Sequence, residues 1–128
     1  MAQMWDSARE AFANGDIDWL TDTIDIRILD GYTFAAADTV VGDLTGVVAT
    51  AALAGKTNVG GILDGGDVTY TAVAPSSTIT SVVVSHNATG RLIVHYDLTA
   101  SGQPIDVDTT GADVIVRWSN STYKMFRI

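Results

Sequence analysis

The sequence predicts an all-β protein, an antiparallel β-sandwich. Three observations carry this. Short stretches of β-branched and aromatic residues alternate with polar ones, as in Ile24, Ile26, Ile28 and again in Val68, Tyr70, Ala72. Clusters of Gly, Asn, Asp, Ser and Pro punctuate them. Nothing shows the strand–helix–strand rhythm of a parallel sheet, so antiparallel architectures remain, the jelly roll among them. A single domain of 1–128 is expected, with an N-terminal helical arm over about residues 1–20.

Taken in order, residues 5–14 carry the one convincing helix pattern. Trp5, Ala8 or Arg9, and Phe12 recur at helical spacing, Asn14-Gly15 is a stop, and Asp6 or Ser7 is the expected cap. Residues 15–23 form a loop presenting Trp19. Residues 22–30 read as a strand with Ile24, Ile26 and Ile28 on one face and Asp25 and Arg27 on the other. Residues 31–44 are irregular, with room for one helical turn within 34–41. Residues 47–53 read as a strand of small side chains and 57–59 as a short strand. Gly60-Gly61-Ile62-Leu63-Asp64-Gly65-Gly66 is expected to be a flexible turn, and 68–72 a further strand.

Residues 78–98 form the central hairpin, two strands around the turn Asn87-Ala88-Thr89-Gly90. Pairing His86 with Arg91 sorts its side chains. Ile79, Ser81, Val83, Ser85, Leu92, Val94, Tyr96 and Leu98 fall on an expected core face. Val82, Val84 and Ile93 fall on the opposite face, between His86 and His95, as an apolar band that something must cover. Residues 105–107 make a short edge strand. Residues 113–118 and 123–128 are expected to pair as a terminal hairpin, with Val116 opposite Phe126 and Val114 opposite Ile128.

Composition limits the function. The net charge is −8, and fourteen of the fifteen acids are Asp, the exception being Glu10. Asp favours turns and strand ends, so the acid should coat loop tips. Such a surface repels phosphate backbones, so nucleic acid is not an expected partner. No apolar run reaches the ~20 residues needed to span a bilayer, so a membrane is not expected either. The start, MAQMWDSARE, lacks a basic region followed by an apolar segment, so no signal peptide is expected and synthesis is placed in the cytoplasm. Absence of Cys excludes disulfides, thiolate zinc sites and thiol nucleophiles.

The chemistry-bearing residues read as structural. His86 and His95 lie in the hairpin with no G-x-S-x-G elbow anywhere, and they are expected at the rim of an interface. Asp16, Asp18 and Asp22, like Asp64 and Asp67, lack the remaining ligands of a calcium loop. Gly60-Gly61 and Gly65-Gly66 precede no helix and no Gly-Lys-Ser/Thr, so they cradle no phosphate. The sequons Asn87-Ala88-Thr89 and Asn120-Ser121-Thr122 are expected as hairpin turns. No catalytic residue, cofactor or metal is therefore expected. Trp5, Phe12 and Trp19 are the informative group, because large aromatics so close together either staple the arm to the sheet or form a docking surface. With Val82, Val84 and Ile93 they are the candidate interface residues.

Several motifs resemble a family of small tailed-bacteriophage virion proteins. These are Ala11-Phe12, Gly15-Asp16-Ile17-Asp18-Trp19, Asp22-Thr23-Ile24, Leu29-Asp30-Gly31-Tyr32, Leu53-Ala54-Gly55-Lys56-Thr57, Asp67-Val68-Thr69-Tyr70, Arg91-Leu92-Ile93, Val116-Arg117-Trp118 and Phe126-Arg127-Ile128. The resemblance covers nearly the whole chain and hands over no catalytic residue. It implies a non-enzymatic capsid decoration, or cement, protein on the virion surface. Such a protein would stabilise the shell by bridging subunits of the major capsid protein, and self-association into a homo-oligomer is expected. A tail, neck or fibre-attachment component is the alternative within the virion. A carbohydrate-binding β-sandwich module is the alternative outside it.

Overall fold

The computed structural model describes residues 2–128. Its elements, in order, are β1 (Ala2–Met4), α1 (Asp6–Ala13), β2 (Ile24–Leu29), β3 (Val47–Ala52), β4 (Thr57–Val59), β5 (Ile62–Asp64), β6 (Val68–Tyr70), β7 (Thr78–Ile79), β8 (Ser81–His86), β9 (Leu92–Tyr96), β10 (Val107–Asp108), β11 (Val114–Val116) and β12 (Phe126–Arg127). A 3-10 turn spans Val41–Asp43. The chain is mostly β with a short N-terminal helix, as the sequence predicts.

One five-stranded antiparallel sheet, ordered β1-β9-β8-β2-β3, forms the main layer. Three smaller sheets, β10-β7, β11-β6 and β12-β5-β4, complete the fold. The main core lies between the inner face of the large sheet and β5, β6 and β12. Ile24, Ile26 and Ile28 meet Leu63, Val68, Tyr70 and Phe126 there. Tyr70 Oη donates to the Ile26 carbonyl, and Tyr96 Oη donates to the Met125 carbonyl at 2.6 Å. Tyr70 is buried and Tyr96 partly buried, and desolvation holds both phenols above the usual Tyr range.

The helix starts without a side-chain cap. Its N-cap is Trp5, whose ring turns into the core, so neither Asp6 nor Ser7 caps it. Asp6 still favours the positive end of the helix and accepts from Arg9 at 2.8 Å. Ala8 and Ala11 face inward, and Gly15 leaves the helix at φ +76°, which suits a residue without Cβ.

The central hairpin forms, with the His86 N–H donating to the Arg91 carbonyl at 2.8 Å. A bulge then changes its faces. Ser85 pairs with Leu92 but Val84 pairs with Val94, so Ile93 is an inserted residue. Val82, Val84, Ile93 and Val94 all enter the main core. Val83 and Leu92 face the other way. The expected core face is thus corrected, because the bulge lets two successive residues, Ile93 and Val94, bury on the same side. The chain itself covers the second face. Trp5, Tyr32, Phe34, Val41 and Leu44 lie over Leu29, Val83 and Leu92.

Two more expectations change. The Gly-rich stretch is not a turn throughout, since Ile62–Asp64 is the middle strand of a sheet and Leu63 is fully buried. The terminal hairpin does not form. Val114 pairs with Tyr70 and Val116 with Val68, while Phe126 pairs with Leu63. Both pairings match apolar partners across a ladder and bury Phe126 against Trp19, which a local hairpin would not achieve.

Candidate functional site

The N-terminal aromatics are committed within the chain. Trp5 is 1% exposed, donates its indole N–H to the Ala35 carbonyl at 2.9 Å, and packs on Phe34 at 4.9 Å between ring centres. Trp19 is 3% exposed, donates to the Asp64 carbonyl at 3.2 Å, and meets Phe126 edge to face at 5.3 Å. Phe12 is half-buried at 6.4 Å from Phe126. Their geometry is that of staples. Val82, Val84 and Ile93 are 6%, 0% and 0% exposed, so the hairpin band lies inside the chain, not at an outer surface.

The two histidines part company. His86 Nε2 lies 2.8 Å from Asp22 Oδ2, and its Nδ1 lies 2.8 Å from Thr89 Oγ1. The neighbouring Asn87 amide donates to Asp25 at 2.8 Å, and Lys56 Nζ donates to the Asp22 carbonyl. The Asp22 carboxyl is held below the usual carboxylate range, first by the Asp18 backbone N–H and then by His86. This acid–imidazole–hydroxyl row ties the hairpin turn to the loop after α1. His95 sits on the opposite face, 1% exposed, with neither ring nitrogen hydrogen-bonded. Tyr32, Phe34 and Trp5 surround it at 5.6, 5.8 and 6.3 Å between centres. Burial lowers its pKa, and Asp97 opposes that more weakly.

Asp18 and Asp22 of the first acidic cluster are taken up by hydrogen bonds of the loop and the hairpin turn. Asp18 Oδ1 accepts from the Leu20 and Thr21 N–H groups at 3.1 and 3.3 Å. No three His, Asp or Glu side chains among the described residues are grouped to hold a metal ion.

Two cavities stand out among the described residues. One, of about 660 Å³, runs along β3 and β6 past Asp30, Thr50 and Thr71. The other, of about 910 Å³, opens where the large sheet and the small sheets fail to meet. Its floor reaches Ile28, Val82, Val94 and Tyr96, and its far wall is 114–119 with Tyr123 to Arg127. Leu98, Val107, Ile115 and Tyr123 stand at this mouth 36–47% exposed, four of the nine large apolar side chains most open to solvent. Sequence reasoning missed this wall. One signal was available: residues 114–128 carry three cations and no acid in a chain of net charge −8.

Comparison with protein-family models, with curated proteins and with solved structures gives no match.

Proposed function

We propose that this chain is a non-enzymatic structural protein of a tailed-bacteriophage virion, a capsid decoration protein that bridges neighbouring capsid subunits. The motif resemblance along nearly the whole chain supports the virion assignment. The observation that carries the docking role is the apolar mouth of the sandwich. Its large side chains stand open to solvent while Trp5, Trp19 and the hairpin valines are consumed inside the fold. A bridging protein stabilises a shell by burying such surface only once assembled. Self-association belongs to the same reading, and the free edge of β3 suits it. That strand is Val-Val-Ala-Thr-Ala-Ala, carries no charge, and pairs on one side only.

Mass spectrometry and cryo-EM of purified particles test the assignment. Hundreds of copies on the capsid surface are expected. A handful of copies at the tail or neck would move the protein to that position, and absence from intact particles would overturn the virion reading.

A further inference from the structure

The larger cavity has a charge pattern opposite to that of the protein. Four of the chain's seven cationic residues, Arg9, Arg117, Lys124 and Arg127, lie on its wall, and none of the fifteen acids does. These cations are loosely held. Arg117 reaches Asp67 at 3.4 Å with both side chains more than half exposed, and Arg9 pairs with an almost fully exposed Asp6. Such pairs contribute little and exchange readily. Arg127 rests on the Tyr123 ring at 4.3 Å, and Lys124 has no ion-pair partner among the described residues.

The walls also offer backbone. β1 pairs only with β9 and β11 only with β6, so each contributes an edge to the groove. Edges of this kind recruit extended segments by strand addition, with alternate side chains seated in adjoining pockets.

We propose that this groove binds an extended, acidic segment of a partner protein. Its apolar side chains enter between Val94, Val116 and Trp118, and its carboxylates meet the four cations. Charge selects the location, because an acidic partner is repelled over the rest of a −8 surface and accepted only here. An apolar floor distinguishes the groove from a phosphate track, which would need a polar one. The proposal rests on the docking role for its biological setting, but the groove itself can be tested alone.

The probes are a fluorescein-labelled peptide alternating Glu and Val, its Lys–Val counterpart, and a labelled single-stranded DNA of similar length. Anisotropy should show the Glu–Val peptide binding at least about tenfold more tightly than either of the others, with affinity falling as salt rises. Trp118 emission should shift on binding and the shift should vanish in Trp118→Phe. The double variant Arg117→Glu/Lys124→Glu changes only exposed side chains, so its circular dichroism should match wild type while Glu–Val binding is lost. Equal binding of both peptides, preference for DNA, no binding, or full retention in the folded double variant would overturn the proposal. The same variant added to particles lacking the protein separates the two readings. Undiminished particle binding removes the groove but keeps the decoration role. Peptide binding by the wild-type protein without any wild-type binding to particles keeps the groove and removes that role.

Discussion

Replacing Trp5 with Ala removes the residue that joins three parts of the fold. Its ring lies between α1, the second face of the large sheet and the 30–46 segment, and its N–H holds Ala35. A fully buried Trp→Ala change costs about 3–5 kcal/mol through lost transfer energy and the cavity left behind. The Ala35 carbonyl also loses its donor, which adds about 1 kcal/mol if the segment stays down. A domain of this size has about 5–15 kcal/mol in total, so the variant should be close to its folding limit at 37 °C. Urea unfolding followed by far-UV circular dichroism reads the effect. With a slope of about 2 kcal/mol per molar, a loss of about 4 kcal/mol moves the midpoint down by about 2 M. Trp5→Phe keeps most of the ring and gives up the hydrogen bond, so its midpoint should fall by roughly a quarter to a half as much. Proteolysis should cut first within 31–46 in the Ala variant, because that segment loses its anchor. A shift below about 0.5 M in a soluble, folded Trp5→Ala protein would refute the staple and return Trp5 to the list of docking residues.

His95 should make stability pH-dependent. Burial keeps its imidazole neutral in the fold, so the unfolded chain binds the extra proton, and stability falls as pH drops below about 6.5. The slope from this one group cannot exceed about 1.4 kcal/mol per pH unit. His95→Phe removes both unpartnered nitrogens and should flatten the urea-midpoint profile between pH 7 and pH 5 relative to wild type; an unchanged profile would refute the assignment of this dependence to His95. Gly46→Ala should be far worse than Gly31→Ala, although both have positive φ. At Gly46 (φ +73°) a Cβ would stand 2.0 Å from the Asp30 carbonyl oxygen, whereas at Gly31 (φ +80°) it meets nothing. The Gly31 change should cost about 1–2 kcal/mol from backbone conformation alone, and the Gly46 change clearly more, by the same denaturation assay.

The sequence shows the fold class because its signals are local. The alternation of Ile24, Ile26 and Ile28, the spacing of Trp5, Ala8 and Phe12, and the turn after His86 each act within a few residues. What it hides depends on distant partners. Ala2–Met4 has no strand pattern of its own and exists because β9 offers an edge. Ile62–Asp64 is too short, between two glycine pairs, to read as a strand until Asn58 and Phe126 sit on either side of Leu63. The bulge at Ile93 is a packing decision: Ile93 and Val94 both gain burial on one side, and no periodicity announces it. The same holds for the groove. Three of its cations fall within eleven residues of sequence, Arg117 to Arg127, but only the fold brings Arg9 to them from over a hundred residues away.

The size of that groove bears on what it is. If about 910 Å³ were an enclosed void in the core, at about 24 cal/mol per Å³ it would cost on the order of 20 kcal/mol, more than the whole stability of such a domain. It must therefore be open to water, and its apolar lining is solvent-exposed surface that folding leaves unburied. A packing defect has no reason to collect cations. In a chain with twice as many acids as bases, a random rim would hold more carboxylates than guanidinium and ammonium groups, not four against none. The other face of the same sheet shows the contrast, since there the chain folds Trp5, Tyr32 and Phe34 over its own apolar residues. One face is closed by the protein's own residues, and the mouth is left open with a charge pattern suited to an acidic segment from elsewhere.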